Sequence, residues 1–163
     1  MKTSSFEFSY RIYTSLAELG EEDAALLAAA QSITGQAYAP YSNFYVGAVV
    51  KLENGQRLNG TNQENASFPA GICAERTVLS AASSVYPGIA IQTMAISFRS
   101  TATESNHPIS PCGICRQSLI EQEKRQQLPI RILLGGQTGP IYLIDSASHL
   151  LPFSFTGEEL NKR

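Results

Sequence analysis

The chain contains three cysteines, and all three fall in two short motifs. Cys73 stands in Cys73-Ala74-Glu75-Arg76, and Cys112 and Cys115 stand in Pro111-Cys112-Gly113-Ile114-Cys115-Arg116. Residues three apart share a face on a first helical turn, so Cys112 and Cys115 can both reach one metal at about 2.3 Å. Cys73 would supply a third thiolate from a separate element. Zinc held by three protein ligands keeps a fourth position for water, which a structural site would fill. Glu75, two residues beyond the first thiol, is a carboxylate able to take and return a proton of that water. Three thiolates leave an excess of negative charge that opposes an acidic water. Arg76 and the amides of two helix N-termini are the groups available to draw it off. The pattern is that of a hydrolytic zinc enzyme.

Two blander arrangements use the same thiols. A structural zinc knot would recruit His107 or His149 as its fourth ligand, His107 lying five residues before Cys112. Pro-Cys-x-x-Cys at a helix start is also a dithiol redox motif. Neither needs a carboxylate beside the first cysteine. A ligand-x-Glu paired with a later Pro-Cys-x-x-Cys is the pattern of zinc deaminases.

The elements that must hold these motifs can be read from the periodicity. Residues 6–13 alternate Phe6, Phe8, Tyr10 and Ile12 with polar neighbours and predict a half-buried strand. Residues 21–35 predict a helix, with acids at its positive end, an alanine-rich middle and Gly35 as a stop. A hairpin follows from Phe44 to Leu52 and back from Gln56 to Thr61, with Asn54-Gly55 predicting a type I′ turn. Glu75 to Tyr86 predicts a helix that turns Val78, Ala82 and Val85 inward. Ile89 to Phe98 predicts a buried strand. Residues 112–126 predict a helix with Ile114, Leu119 and Ile120 inward, ending at the basic pair Lys124-Arg125. Strands at 129–134 and 140–144 and short helices at 146–151 and 156–162 complete the chain. Helices alternating with strands predict an α/β fold, a three-layer α/β/α arrangement around a mixed, mostly five-stranded sheet. Both cysteine motifs then open helices.

Composition narrows the partners. A chain of 163 residues is long enough for one domain with a core, and 43% hydrophobic with 16% charged residues is ordinary for a soluble protein. No apolar run approaches the roughly 18 residues of a membrane span, and residues 1–7 have no signal-peptide core. Three thiols without such a signal fit the reducing cytoplasm. A net charge of −2, from 12 basic and 14 acidic residues, disfavours a nucleic-acid partner. A small, weakly charged ligand is expected.

The motifs and their flanks resemble the cytidine deaminase family in its short, homotetrameric, zinc-dependent form. The similarity runs from about residue 21 to the C-terminus. It is carried by Tyr38-Ala39-Pro40-Tyr41-Ser42-Asn43-Phe44, Val46-Gly47-Ala48, Asn62-Gln63-Glu64-Asn65-Ala66-Ser67, the two cysteine motifs, and Leu150-Leu151-Pro152 with Phe155. The resemblance implies a zinc-binding domain over residues 21–163, with 1–20 as an N-terminal extension that adds a strand or a subunit contact. It implies zinc on Cys73, Cys112 and Cys115, with Glu75 as proton shuttle. Asn62 and Glu64 would hold a ribose hydroxyl, Phe44 would stack on the pyrimidine, the Ala74 amide would contact its carbonyl, and the Ser110 carbonyl its amino group. Phe155 and the loop around Phe68 would reach a neighbouring subunit's pocket. The implied reaction is hydrolytic deamination of cytidine and 2′-deoxycytidine by zinc-activated attack at C4, a step of pyrimidine salvage. A related aminohydrolase acting on another cytosine-containing substrate is the alternative; a blasticidin-type enzyme lacks the ribose-binding glutamate, which favours a nucleoside. Gln63, Phe68 and Phe153 depart from the family pattern, at a usually aliphatic residue, a frequent tyrosine and a small residue respectively.

Overall fold

Side-chain alternation along the strands decides the layers. Ala48, Val50 and Leu52 share one core with Met94, Ile96, Ile132 and Leu134, whereas Val49, Ala95 and Leu133 enter a second core. Successive strand side chains point to opposite faces, so a sheet apolar at both sets of positions must be covered twice. The computed structural model describes residues 1–160. Its elements are β1 (Arg11–Tyr13), α1 (Glu21–Ile33), β2 (Phe44–Leu52), β3 (Arg57–Thr61), α2 (Ala74–Val85), β4 (Ile91–Ser100), α3 (Gly113–Gln126), β5 (Arg131–Gly135) and β6 (Ile141–Ile144). The strands form one mixed sheet in the order β1-β6-β5-β4-β2-β3. Only β4 and β5 are parallel neighbours, and α3 supplies the crossover that parallel strands require.

Covering the face of Val49, Ala95 and Leu133, α1 carries Glu21, Glu22 and Asp23 in its first turn and buries Leu26, Leu27, Ala30 and Ile33, which lie along one side at helical spacing. Asp23 also receives a forked contact from Arg131 of β5 at 2.6 and 3.2 Å, pinning the helix to the sheet. On the other face α2 buries Val78, Leu79 and Ala82, and α3 buries Cys115, Leu119 and Ile120. The α/β/α layering expected from the sequence is present, with six strands where five were expected because β1 joins the edge.

Several local expectations are corrected. The strand expected over 6–13 is confined to Arg11–Tyr13, since its partner β6 has only four residues and pairs through Ile141 to Leu143. Phe8 and Tyr10 instead rest their rings on His149 and Tyr142, at 5.4 and 5.1 Å between centroids. Val85 and Ile114, expected inward, are exposed. Ile114 turns outward because Cys115, its neighbour on the first turn of α3, occupies the inward direction. The hairpin turn is not type I′: only Gly55 has a positive φ, at 81°. The Gly55 amide donates to Leu52 and the Leu52 amide to Gln56, a three-residue loop with its glycine at the bulge. The last two helices are single 3₁₀ turns, Ala147–Leu150 and Gly157–Glu159, and the end of the second predicted segment lies outside the described residues. No helix among the described residues is long and apolar enough to cross a membrane.

Candidate active site

Two helix beginnings carry the cysteines. Cys73 immediately precedes α2 and Cys112 immediately precedes α3, both in extended backbone, while Cys115 lies in the first turn of α3. The two helices pack side by side on one face of the sheet, which brings the thiols together. Cys112 Sγ lies 3.7 Å from Cys73 Sγ and 3.4 Å from Cys115 Sγ, and all three sulfurs fall within 4.8 Å of one another. A tetrahedral zinc with bonds near 2.3 Å sets its sulfur ligands about 3.8 Å apart. The donor set therefore fits a metal ion of this kind. Cys115 is fully buried, Cys73 partly so, and Cys112 is exposed.

Neither histidine reaches the thiols. His107 meets Phe98 edge-on at 5.2 Å, and His149 stacks on Phe8. Among the described residues the cysteines are the one group of at least three metal-ligating side chains. The fourth ligand of a structural knot is thus supplied by neither His107 nor His149.

The thiols and Glu75 are electrostatically linked. The pKa of Cys73 is lowered to about 6, first by hydrogen bonding with Cys115, then with Cys112, and by the positive charge of Arg76. Glu75 is 5% exposed. Burial raises its pKa above the ordinary carboxylate range, and the charge of Cys73 adds to the effect. A carboxyl shifted upward holds a proton more readily than an ordinary carboxylate, which suits a group that must both accept and donate one. Arg116, which sequence reasoning did not single out, braces the second motif: its side chain donates to the carbonyls of Pro111 at 2.8 Å and Leu150 at 2.9 Å. The only sequence signal for it was its place directly after the last cysteine.

Chain leaving β3 runs past the first cysteine. The Gln63 amide donates to the Ile72 carbonyl at 2.9 Å and the Ile72 amide returns to Gln63 at 3.0 Å, fastening residues 62–64 beside Cys73. Alternation in this extended stretch turns Asn62 and Glu64 the same way. The Gln63 side chain instead donates to Thr61 Oγ1. Asn62 Oδ1 accepts from the Val46 amide at 2.7 Å, and its Nδ2 donates to the Phe44 carbonyl at 2.9 Å. Glu64 accepts from the Ser42 hydroxyl and from the amides of Tyr41 and Ser42, and its pKa is lowered, first by that hydroxyl.

These groups line one cavity of about 500 Å³, whose walls include Tyr41, Ser42, Asn62, Glu64, Phe68 and Cys73. Phe68 is exposed and stands edge-on to Tyr41 at 5.8 Å. Phe44 is half-buried and stacks on the fully buried Phe98, with centroids 4.9 Å apart and planes 20° from parallel. Ala74 is fully buried at the first position of α2, where helix amides lack intrahelical partners. Phe155 is exposed, accepts from the Gln117 side chain through its carbonyl, and does not line this cavity. A larger hollow of about 560 Å³ lies between α2 and α3, walled by Arg76, Ser80, Gln117, Glu121 and Arg125 without any cysteine. The smaller one brings Cys73 together with Asn62 and Glu64, while Phe44, Glu75, Cys112 and Cys115 stand outside its lining.

Comparison with known proteins gives the same picture. Residues 20–128 match the model of the cytidine and deoxycytidylate deaminase zinc-binding region. A cytidine deaminase of Halalkalibacterium halodurans is 38% identical over 125 residues, spanning 77% of this chain and 87% of that one. The crystal structure of a cytidine deaminase from Burkholderia pseudomallei superposes with a TM-score of 0.70 at 36% identity, covering 84% of this chain and all of the other. One from Mycobacterium tuberculosis gives 0.63 at 28% identity, over 84% and 98%. Since the matched stretch includes both helix beginnings, all three thiols and Glu75, the chain belongs to the cytidine deaminase family.

Proposed function

We propose that this chain is a zinc-dependent hydrolase that converts cytidine and 2′-deoxycytidine, with water, to uridine and 2′-deoxyuridine plus ammonia. One observation carries the reading: a single cavity joins the metal-ligating Cys73 to the polar pair Asn62 and Glu64. Cys73, Cys112 and Cys115 hold zinc, which when bound supplies Lewis-acid activation of water. Glu75 takes a proton from the attacking water and delivers it to ring N3. It then carries a second proton to the amine leaving C4. Arg76 offsets thiolate charge, as its effect on Cys73 supports.

Hydrogen-bond capacity supports the sugar assignment. After its contacts to Val46 and Phe44, Asn62 retains one amide hydrogen, and Glu64 retains about one acceptor direction. A single hydroxyl that accepts from Asn62 and donates to Glu64 satisfies both. That suits ribose and deoxyribose alike. Phe44, backed by Phe98, provides a face for the pyrimidine, and the Ala74 amide a donor for its carbonyl, with the Ser110 carbonyl meeting the amino group. Phe155 stands outside the cavity of its own chain and serves that of a neighbouring copy in a homotetramer. Residues 1–20 form an extension of a deaminase domain spanning 21–163. The enzyme acts in the cytoplasm in pyrimidine salvage, with a nucleoside rather than a nucleic acid as partner, as the net charge of −2 supports.

An ultraviolet absorbance assay tests the reading on cytidine, deoxycytidine, CMP and single-stranded DNA, with and without a zinc chelator. Turnover of the two nucleosides, abolished by the chelator, is expected. Turnover of the nucleotide or the strand alone would transfer the activity to another cytosine-containing substrate.

A further inference from the structure

Glu64 lies beyond the end of β3, and its side chain is held by the loop that leads into β2. Its Oε2 accepts from the backbone amides of Tyr41 at 2.9 Å and Ser42 at 3.3 Å, and its Oε1 accepts from the Ser42 hydroxyl at 2.5 Å. From the other side, the Glu64 amide donates to the Tyr38 carbonyl at 2.8 Å. The Ser42 oxygen has a second partner, accepting from the Phe44 amide at 3.1 Å. Between them Asn43 adopts the left-handed region at φ 53°, which asparagine tolerates better than most residues. One hydroxyl thus ties a carboxylate on the cavity wall to the first residue of β2, whose ring stacks on Phe98.

We propose that Ser42 is a positioning residue for sugar recognition, its hydroxyl fixing the rotation of Glu64 and coupling it to Phe44. The inference rests on the deaminase reading and deepens it. The two backbone amides hold only Oε2, and a carboxylate held at one oxygen can still swing about it. The hydroxyl holds Oε1, so rotation stops and the remaining acceptor direction is set before substrate arrives. The sugar-binding carboxylate and the base-stacking ring then keep one fixed separation. Ser42 acts through these two residues and takes no part at C4. Without its hydroxyl, the cost falls on binding of the sugar hydroxyl, not on the chemical step.

Steady-state kinetics of the zinc-loaded enzyme test this on cytidine and on 2′,3′-dideoxycytidine, which lacks the 2′- and 3′-hydroxyls and keeps only the 5′-hydroxyl. Loss of one hydrogen bond to a charged group corresponds to roughly a tenfold change in binding. Ser42→Ala is expected to raise KM for cytidine by about tenfold, with kcat within about twofold and little change in KM for the dideoxy analogue. Ser42→Thr, which keeps the hydroxyl, is expected to recover most of the loss. An equal rise in KM for both nucleosides, or a threonine variant as impaired as the alanine one, would overturn the inference while leaving the deaminase reading intact. Failure of the parent enzyme to deaminate cytidine at all would overturn both.

Discussion

At the start of α2 burial raises the pKa of Glu75 while that of the nearby Cys73 is pulled down, so residues two apart are displaced in opposite directions. Each shift suits the role proposed for its residue. A thiol that ionises readily is a better metal ligand, and a carboxyl with a raised pKa is a better proton carrier. Glu75→Gln keeps the shape and burial of the side chain but cannot exchange a proton. It is expected to bind the same amount of zinc by elemental analysis and to lose about 10²–10⁴-fold in kcat. Near-parental turnover would remove Glu75 from the proton relay. Residue identity suggests these roles from the sequence alone, because few side chains can serve them. The donors that hold Glu64 were not legible. Ser42 and Tyr41 reach it through backbone amides and one hydroxyl across 22 and 23 residues of sequence, and such contacts leave no composition signal.

Elements set how closely the parts approach. Gly60 of β3 lies against the start of α2, and a Cβ built there would come within 2.6 Å of the Ala74 carbonyl oxygen and 2.7 Å of the Val78 amide. Both neighbours are helix backbone, so neither can rotate away. Its φ is not in the left-handed region; space, not conformational freedom, demands glycine here. Gly60→Ala is expected to destabilise the fold by about 1–3 kcal/mol in denaturant unfolding, and to weaken zinc retention by displacing the turn that carries Cys73. An unchanged midpoint would show that the helix shifts freely. The boundaries of α2 and α3 were readable to within a residue or two, since Pro87-Gly88 closes the first and Pro111 opens the second, although Val85 and Ile114 face outward against the expected periodicity. The N-terminal strand was overextended because alternation reports which face is apolar and not whether a partner strand is long enough to pair with it. Residues Phe6 to Ser9 continue the alternation, yet in the antiparallel register β6 ends at Ile144, opposite Tyr10, and cannot receive them.

On the scale of the whole molecule, the thiol cluster clamps two helices that are separate in sequence and adjacent on one face of the sheet. A ligand that binds only the folded state stabilises it by mass action, about 2.7 kcal/mol at a free concentration 100 times its Kd. Removing zinc with a chelator is therefore expected to lower Tm and abolish activity together, with both restored by added zinc. A Tm indifferent to chelation would mean that the helices are held by packing alone. Sequence by itself determined the chemistry: three thiols, a carboxylate at the second position after the first, and an arginine beside it specify a metal-assisted hydrolysis through the properties of those side chains. It also determined the layering, because two-residue and 3.6-residue periods fix which faces must be covered. Only the tertiary structure decided that Cys73, Asn62 and Glu64 border one cavity, that the two histidines stand away from the thiols, and that the Ser42 hydroxyl donates to the Glu64 carboxylate. Those facts depend on the distance between chain segments far apart in sequence, which is set when the helices and strands pack.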